Sequence, residues 1–167
     1  STGAAVRVIP SNSVTPTSLS ANKGSYVIQS AGTSKCLDVP SSSRNNAITI
    51  QQYSCHGQSN QQWRFELKSG TSERGRYLIK SVSSGKCLDV PNSSSDNAVR
   101  IQQYECHGQS NQLWDVSKSG NEYIINSASS GKTLDIPWGD KKDGIQLQQY
   151  DFHGKSNQKW VLGIFVK

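Results

Sequence analysis

The chain has 167 residues, of which 33% are hydrophobic, enough to close one modest core. No apolar run approaches the ~20 residues that span a bilayer, so membrane insertion is not expected. The formal net charge is +6, but the Lys and Arg are scattered, and the densest cluster, GDKKDG at 139–144, carries Asp on both sides. A nucleic-acid footprint gathers its cations into a patch or stripe, so the basic balance is read as a solvated surface and no nucleic-acid partner is expected.

Residues 1–24 are rich in Ser, Thr and Pro and read as a linker or N-terminal extension. The run AVRVI within them is the one candidate for a strand laid on the body. There is no leader-like start and no Met, so a mature product or an excised piece is expected.

Residues 25–167 form one domain built on three internal repeats, at about 25–66, 76–117 and 122–163. The units open on apolar runs at Tyr26, Tyr77 and Tyr123 (YVIQS, YLIKS, YIINS). Each continues through Lys, then Cys or Thr, then Leu-Asp-Val/Ile-Pro. A turn-rich loop follows, and each unit then writes one polar sentence: QQYSCHGQSNQQW at 51–63, QQYECHGQSNQLW at 102–114, QQYDFHGKSNQKW at 148–160. The first two agree at 11 of 13 positions, the first and third at 9.

Short alternating runs bounded by Gly, Ser, Asn and Pro predict strands. There are about four per unit: in the first, near Tyr26, near Leu37, across Ile48 to Tyr53, and from Trp63 onward. No stretch sustains a helical period. Three such units predict an all-β, closed, threefold body without exposed sheet edges. An open three-bladed array is the alternative.

The four cysteines fall in the first two units, at Cys36 and Cys55 and at Cys87 and Cys106, and the third unit has Thr133 and Phe152 in their places. Both members are absent together, as a covalent pair requires, so disulfides Cys36–Cys55 and Cys87–Cys106 are expected, with an oxidising, extracellular compartment. A zinc reading of the adjacent His56 and His107 competes poorly, because His153 persists where both thiols are gone. No metal or cofactor is expected.

Six polar or aromatic residues recur in each unit: Asp38, Gln51, Tyr53, His56, Asn60 and Gln61; Asp89, Gln102, Tyr104, His107, Asn111 and Gln112; Asp135, Gln148, Tyr150, His153, Asn157 and Gln158. Carboxylates and amides match vicinal hydroxyls, and an aromatic face suits the C–H face of a pyranose. The set points to sugar binding. Trp63, Trp114 and Trp160 are read as core, and Gln61, Gln112 and Gln158 as structural ties. Trp138 is extra to the third unit. It is read either as an additional contact that widens the third site or as a cover for the gap left by the missing disulfide.

This repeated pattern, C-L-D-V followed by I-Q-x-Y-x-C-H and N-Q-x-W, resembles the ricin B-chain-like β-trefoil lectins, in the style of the family 13 carbohydrate-binding modules, over residues 26–163. The resemblance implies a twelve-strand β-trefoil with up to three shallow sites. In each, the Asp and Asn contact hydroxyls and the Tyr stacks on the ring: Asp38, Tyr53 and Asn60; Asp89, Tyr104 and Asn111; Asp135, Tyr150 and Asn157. The Gln at 51, 102 and 148 and the His at 56, 107 and 153 are auxiliary.

Catalysis is not expected. Glycoside hydrolysis needs two carboxylates flanking one bond, and each unit repeats one. A Ser59–His56–Asp38 arrangement lacks a nucleophile-elbow motif. Calcium sites need clustered acids that are missing here. The expected function is a monomeric, secreted, non-catalytic module with three sugar sites. It targets a covalently linked N-terminal glycoside hydrolase to a galactose-, arabinose- or xylose-containing polysaccharide. The alternative is a cell-surface lectin, the glycan-binding part of a toxin or agglutinin. A trefoil used only for protein–protein contact is more distant.

Overall fold

The repeats lay down nearly the same strands, unit three having only an isolated bridge at Gln146 where the other two have a two-residue strand; in Glu122–Ser127 every second residue is buried. The computed structural model describes Gly3, Ala5 and residues 11–167. Unit one holds β2 (Val27–Ser30), β3 (Cys36–Asp38), β4 (Ile48–Thr49), β5 (Gln51–Tyr53) and β6 (Trp63–Gly70). Unit two holds β7 (Arg74–Ser81), β8 (Cys87–Asp89), β9 (Val99–Arg100), β10 (Gln102–Tyr104) and β11 (Trp114–Ser119). Unit three holds β12 (Glu122–Ser127), β13 (Thr133–Asp135), β14 (Gln148–Tyr150) and β15 (Trp160–Val166). Among the described residues the only helices are short 3-10 turns, and no helix is long and apolar enough to cross a membrane.

Six strands close a barrel. β6 pairs β7, β7 pairs β11, β11 pairs β12, β12 pairs β15 and β15 pairs β2. Tyr26 and Trp63 complete the ring through two reciprocal backbone bonds of 2.9 and 2.8 Å. The same partnership joins Tyr77 to Trp114 and Tyr123 to Trp160. Three hairpins, β3–β5, β8–β10 and β13–β14, cap one end. The closed threefold body is therefore the observed one.

The single strand expected across residues 48–53 is divided at Ile50, and its counterpart is divided at Ile101. The cause lies on the threefold axis. The Ile50 amide donates to Ile101 O (2.9 Å), Ile101 to Leu147 O (3.0 Å) and Leu147 to Ile50 O (2.9 Å), a closed ring of three backbone bonds. All three side chains are fully buried.

The tryptophans of the repeated sentence are core, as expected. Trp63, Trp114 and Trp160 are completely buried. Each indole N–H donates to a Leu carbonyl of its own unit, Leu37, Leu88 and Leu134, at 3.2, 3.1 and 3.2 Å. Both expected disulfides are present, with Cα–Cα distances of 5.2 Å. In unit three the Thr133 hydroxyl donates instead to Asn126 Oδ1 at 2.7 Å.

The seams between units rest on glutamines that the sequence reading passed over. Gln52, Gln103 and Gln149, the second Gln of each QQY, are fully buried. Gln103 Nε2 donates to Ser43 O and Asn45 O of the preceding unit at 3.0 and 2.9 Å. Gln149 does the same to Ser94 O and Asp96 O (3.0 and 2.8 Å), and Gln52 to Asp140 O and Lys142 O (2.6 and 2.8 Å). Each thus ties its unit to a neighbour's loop.

Within the stretch read as linker or extension, β1 (Ser13–Pro16) pairs antiparallel with β15, from Ser13↔Val166 to Pro16↔Gly163. Leu19 enters the core, and its amide donates to the Tyr123 hydroxyl at 2.9 Å. The AVRVI run lies, apart from Ala5, outside the described residues.

Candidate functional site

The last residue of each short capping strand β3, β8 and β13 is the repeated Asp. The closed cap buries it together with the rest of its strand: Asp38, Asp89 and Asp135 are 3%, 2% and 2% exposed. A buried carboxylate requires donors, and the repeated sentence supplies them. Asp38 Oδ1 accepts from Gln51 Nε2 (2.9 Å), and Oδ2 accepts from Asn60 Nδ2 (3.3 Å) and Gln61 Nε2 (3.0 Å). Asp89 accepts from Gln102, Asn111 and Gln112 at 3.0, 3.2 and 2.9 Å. Asp135 accepts from Gln148, Asn157 and Gln158 at 2.9, 3.4 and 2.9 Å. The expected residues are brought together in all three units.

Gln61, Gln112 and Gln158 act as structural ties as well. Gln61 Nε2 donates to Ser54 O (3.0 Å), while its Oε1 accepts the amides of His56 (2.8 Å) and Gly57 (3.3 Å). Gln112 and Gln158 repeat these bonds. The tight turn needs the Gly of each HG pair: Gly57, Gly108 and Gly154 have φ of 74°, 76° and 77°, a region that disfavours side chains. The turn aims the imidazole at the cage. His56, His107 and His153 each accept a main-chain N–H at Nδ1 (3.0 Å). In the neutral ring this leaves the proton on Nε2, which lies 3.7, 3.9 and 3.7 Å from the Asp.

Tyr53, Tyr104 and Tyr150 flank the cages and are 42%, 38% and 39% exposed. Each site therefore has a buried acceptor, amides beside it and an open aromatic ring. Amide N–H groups already engage the carboxylates, so Gln51, Gln102 and Gln148 position the acid.

The third site differs. It opens into a cavity of about 680 Å³ that includes Asp135, Gln148, Tyr150, His153, Trp138 and Arg100. Burial pushes the Asp135 carboxyl up, opposed by the hydrogen bonds from Gln148 and Gln158 and by the charge of His153. Trp138 is 99% exposed, so it covers no gap, and that reading is set aside. Its φ of 58° matches Ser41 (53°) and Asn92 (57°) in the other units. A left-handed backbone is a conformation that a bulky residue seldom adopts.

Arg100 was not among the expected site residues. It belongs to unit two but lies opposite Gln148 across the β9–β14 pair, and its Nη1 donates to Gln148 Oε1 at 3.0 Å. Thr49 holds that register opposite Gln102, and Gln146 opposite Gln51. Each site is thus completed by the preceding unit. The signal was present in the sequence: ITIQQY, VRIQQY and IQLQQY vary at this position and repeat around it.

Residues 24–160 match the family model described as the ricin-type beta-trefoil lectin domain. A designed 3-fold symmetric protein, ThreeFoil, is 34% identical with a TM-score of 0.79, the match covering 84% of this chain and 99% of that one. An exo-beta-1,3-galactanase from Clostridium thermocellum is 33% identical with a TM-score of 0.78 over 84% of this chain, which spans only 30% of the galactanase. The Macrolepiota procera ricin B-like lectin, solved with lactose, is 21% identical with a TM-score of 0.71, covering 89% of this chain and 99% of that one, a likeness of fold alone. The family match, three repeats and three acid–amide cages agree: the chain belongs to the ricin-type β-trefoil lectin family and is a carbohydrate-binding domain of lectin type.

Proposed function

We infer that this domain is a non-catalytic module with three sugar sites that holds an attached, secreted glycoside hydrolase on a galactose-, arabinose- or xylose-containing polysaccharide. The observation that carries the reading is the threefold recurrence of a buried Asp held by amides beside an exposed Tyr. Asp38, Asp89 and Asp135 accept sugar hydroxyls, Tyr53, Tyr104 and Tyr150 stack on the ring, and Asn60, Asn111 and Asn157 complete the polar floor. The likeness to a galactanase of which this chain spans 30% supports a modular attachment. The two disulfides fit an oxidising, extracellular setting.

Trp138 extends the third site for a longer glycan. A bulky residue held at positive φ and left fully exposed returns nothing to the fold, a combination found where backbone strain serves function. One shallow site binds on the order of 0.1–10 mM, equivalent to roughly −3 to −6 kcal/mol. Three on one rigid body gain avidity on polymers.

Affinity electrophoresis against xylan, arabinoxylan, arabinogalactan, galactan and a galactose-terminated glycoprotein tests the reading. Retardation by a plant polysaccharide, relieved by free monosaccharide, is expected. It should vanish when Asp38, Asp89 and Asp135 are replaced together by Ala. The triple replacement of the exposed Tyr53, Tyr104 and Tyr150 by Ala checks the same loss without disturbing the buried cages. Retardation by the glycoprotein alone would turn the assignment to a cell-surface lectin. Full retardation of both triple variants would refute the site.

A further inference from the structure

We propose that the third site selects acidic saccharides, receiving the carboxylate of a uronic-acid residue against Arg100, Lys141 and Lys155. The inference rests on the sugar-binding reading above and names the ligand class of one of its sites.

The three sites share a floor and differ in charge at three rim positions. Where site three has Arg100, site one has Gln146 and site two Thr49. Where site three has Lys155, in HGKSN, the other two have Gln58 and Gln109, in HGQSN. Where site three has Lys141, site one has Arg44 and site two Ser95. Site three is cationic at all three positions, site one at one and site two at none.

These cations line a single cavity with Asp135, the only acid among its described lining residues, and Asp135 is buried beneath three amide donors. Arg100, Lys141 and Lys155 have no carboxylate partner among the described residues. Arg100 is nonetheless held in place, because its Nη1 bonds to Gln148, whose Nε2 bonds to Asp135. The rest of its planar fork remains for a ligand. A guanidinium fork matches the two oxygens of a carboxylate, and a cleft of one sign concentrates the opposite ion. A uronate seated on Tyr150 and Asp135 as a neutral hexopyranose is in the other sites differs from that parent sugar only in carrying a carboxylate in place of the hydroxymethyl group. The cations are confined to one cavity, whereas a nucleic-acid strand needs a continuous phosphate track and successive stacking platforms.

Trp138 gives the third site its own reporter, since Trp63, Trp114 and Trp160 are fully buried. Tryptophan emission of the full chain is titrated with a disaccharide of glucuronic acid linked to galactose, and with its carboxyl-reduced, neutral twin. The acid is expected to bind at least about tenfold more tightly. The preference should shrink in ~1 M salt, where screening reaches ~3 Å. It should also disappear in Arg100→Thr with Lys155→Gln, which install residues that the other sites already carry. Mobility in gels of polygalacturonate and of neutral galactan supplies a readout independent of Trp138, and wild type should be retarded more by the former. Equal affinity for acid and twin would overturn the inference and leave the sugar-binding reading standing. Inorganic sulfate or a short DNA oligonucleotide quenching emission as well as the uronate would overturn it in favour of an unselective anion site. No response to either sugar, with no retardation in either gel, would remove both.

Discussion

Units one and two lock the capping strand to the loop behind the site with a covalent bond, Cys36–Cys55 and Cys87–Cys106. Unit three has a buried Thr133 and an exposed Phe152 there. The acid cages are nevertheless alike: amide-to-carboxylate distances are 2.9, 3.3 and 3.0 Å in unit one and 2.9, 3.4 and 2.9 Å in unit three. The difference teaches that hydrogen bonds alone shape the floor of the site. The disulfide acts on the stability of the chain, chiefly by restricting its unfolded state, and the rim varies independently of both.

The largest expected effect breaks the covalent half of that comparison. Replacing Cys36 and Cys55 by Ser should cost about 3 kcal/mol, a fall in Tm of roughly 6–12 °C in a domain of this size. Thermal melting reads this, and sugar binding by the folded variant should survive. Loss of binding in a variant that still folds would mean that the disulfide shapes the cage after all.

The seams should respond alike in every unit, because Gln52, Gln103 and Gln149 make the same bonds. Gln103→Leu and Gln149→Leu each strand two loop carbonyls and should each cost roughly 2–3 kcal/mol. Denaturant midpoints compare them directly. A large gap between the two would show that the unit without a disulfide depends more heavily on its seam.

Trp138→Ser places the residue of unit one in unit three. Ser carries a Cβ at the same left-handed φ, as Ser41 does, so stability should change by less than about 0.5 kcal/mol, while retention on polysaccharide falls several-fold. A variant that is both less stable and equally well retained would make Trp138 a structural residue.

The smallest effect concerns pH. Burial raises the Asp135 carboxyl above its ordinary value, and Gln148, Gln158 and His153 oppose the shift. The folded state therefore favours the protonated acid more than the unfolded chain does. That contribution to stability is fully present below the unfolded pKa and is lost as pH rises through the folded one. On the proposed reading binding runs the opposite way, since the ionised acid would be the acceptor for a sugar hydroxyl. The Trp138 response to a neutral sugar should thus begin to fade on acidification above the ordinary Asp value of about 3.9. Fading only below that value would contradict the shift.

Much of this was legible because the chain repeats itself. Three copies of one sentence announce three equivalent positions, and the paired loss of both thiols in unit three identifies the disulfides. The six recurring polar and aromatic residues of each unit follow from the same repetition, and the choice of Asp, Tyr and Asn among them rests on the family resemblance. What could not be read is what crosses from unit to unit. Gln51 and Gln52 are identical neighbours, and alternation places them on opposite faces of the strand. Only the topology sends one to Asp38 and the other to the carbonyls of Asp140 and Lys142. Arg100 was missed for the same reason: each site was sought within one repeat, although its rim comes partly from the repeat before it. The break at Ile50 and Ile101 depends on a bond ring at the symmetry axis that no single unit encodes.

The central claim is that three sites share one floor and differ at the rim. The most direct test uses three proteins that each keep one of Tyr53, Tyr104 and Tyr150, with the other two replaced by Ala, run by affinity electrophoresis in neutral galactan and in polygalacturonate. All three should retain part of the wild-type retardation on any neutral polysaccharide that the wild type binds, and only the protein keeping Tyr150 should favour the acidic polymer. Identical behaviour of all three on both polymers would contradict the rim, and wild-type retardation of all three on both would contradict the sites themselves.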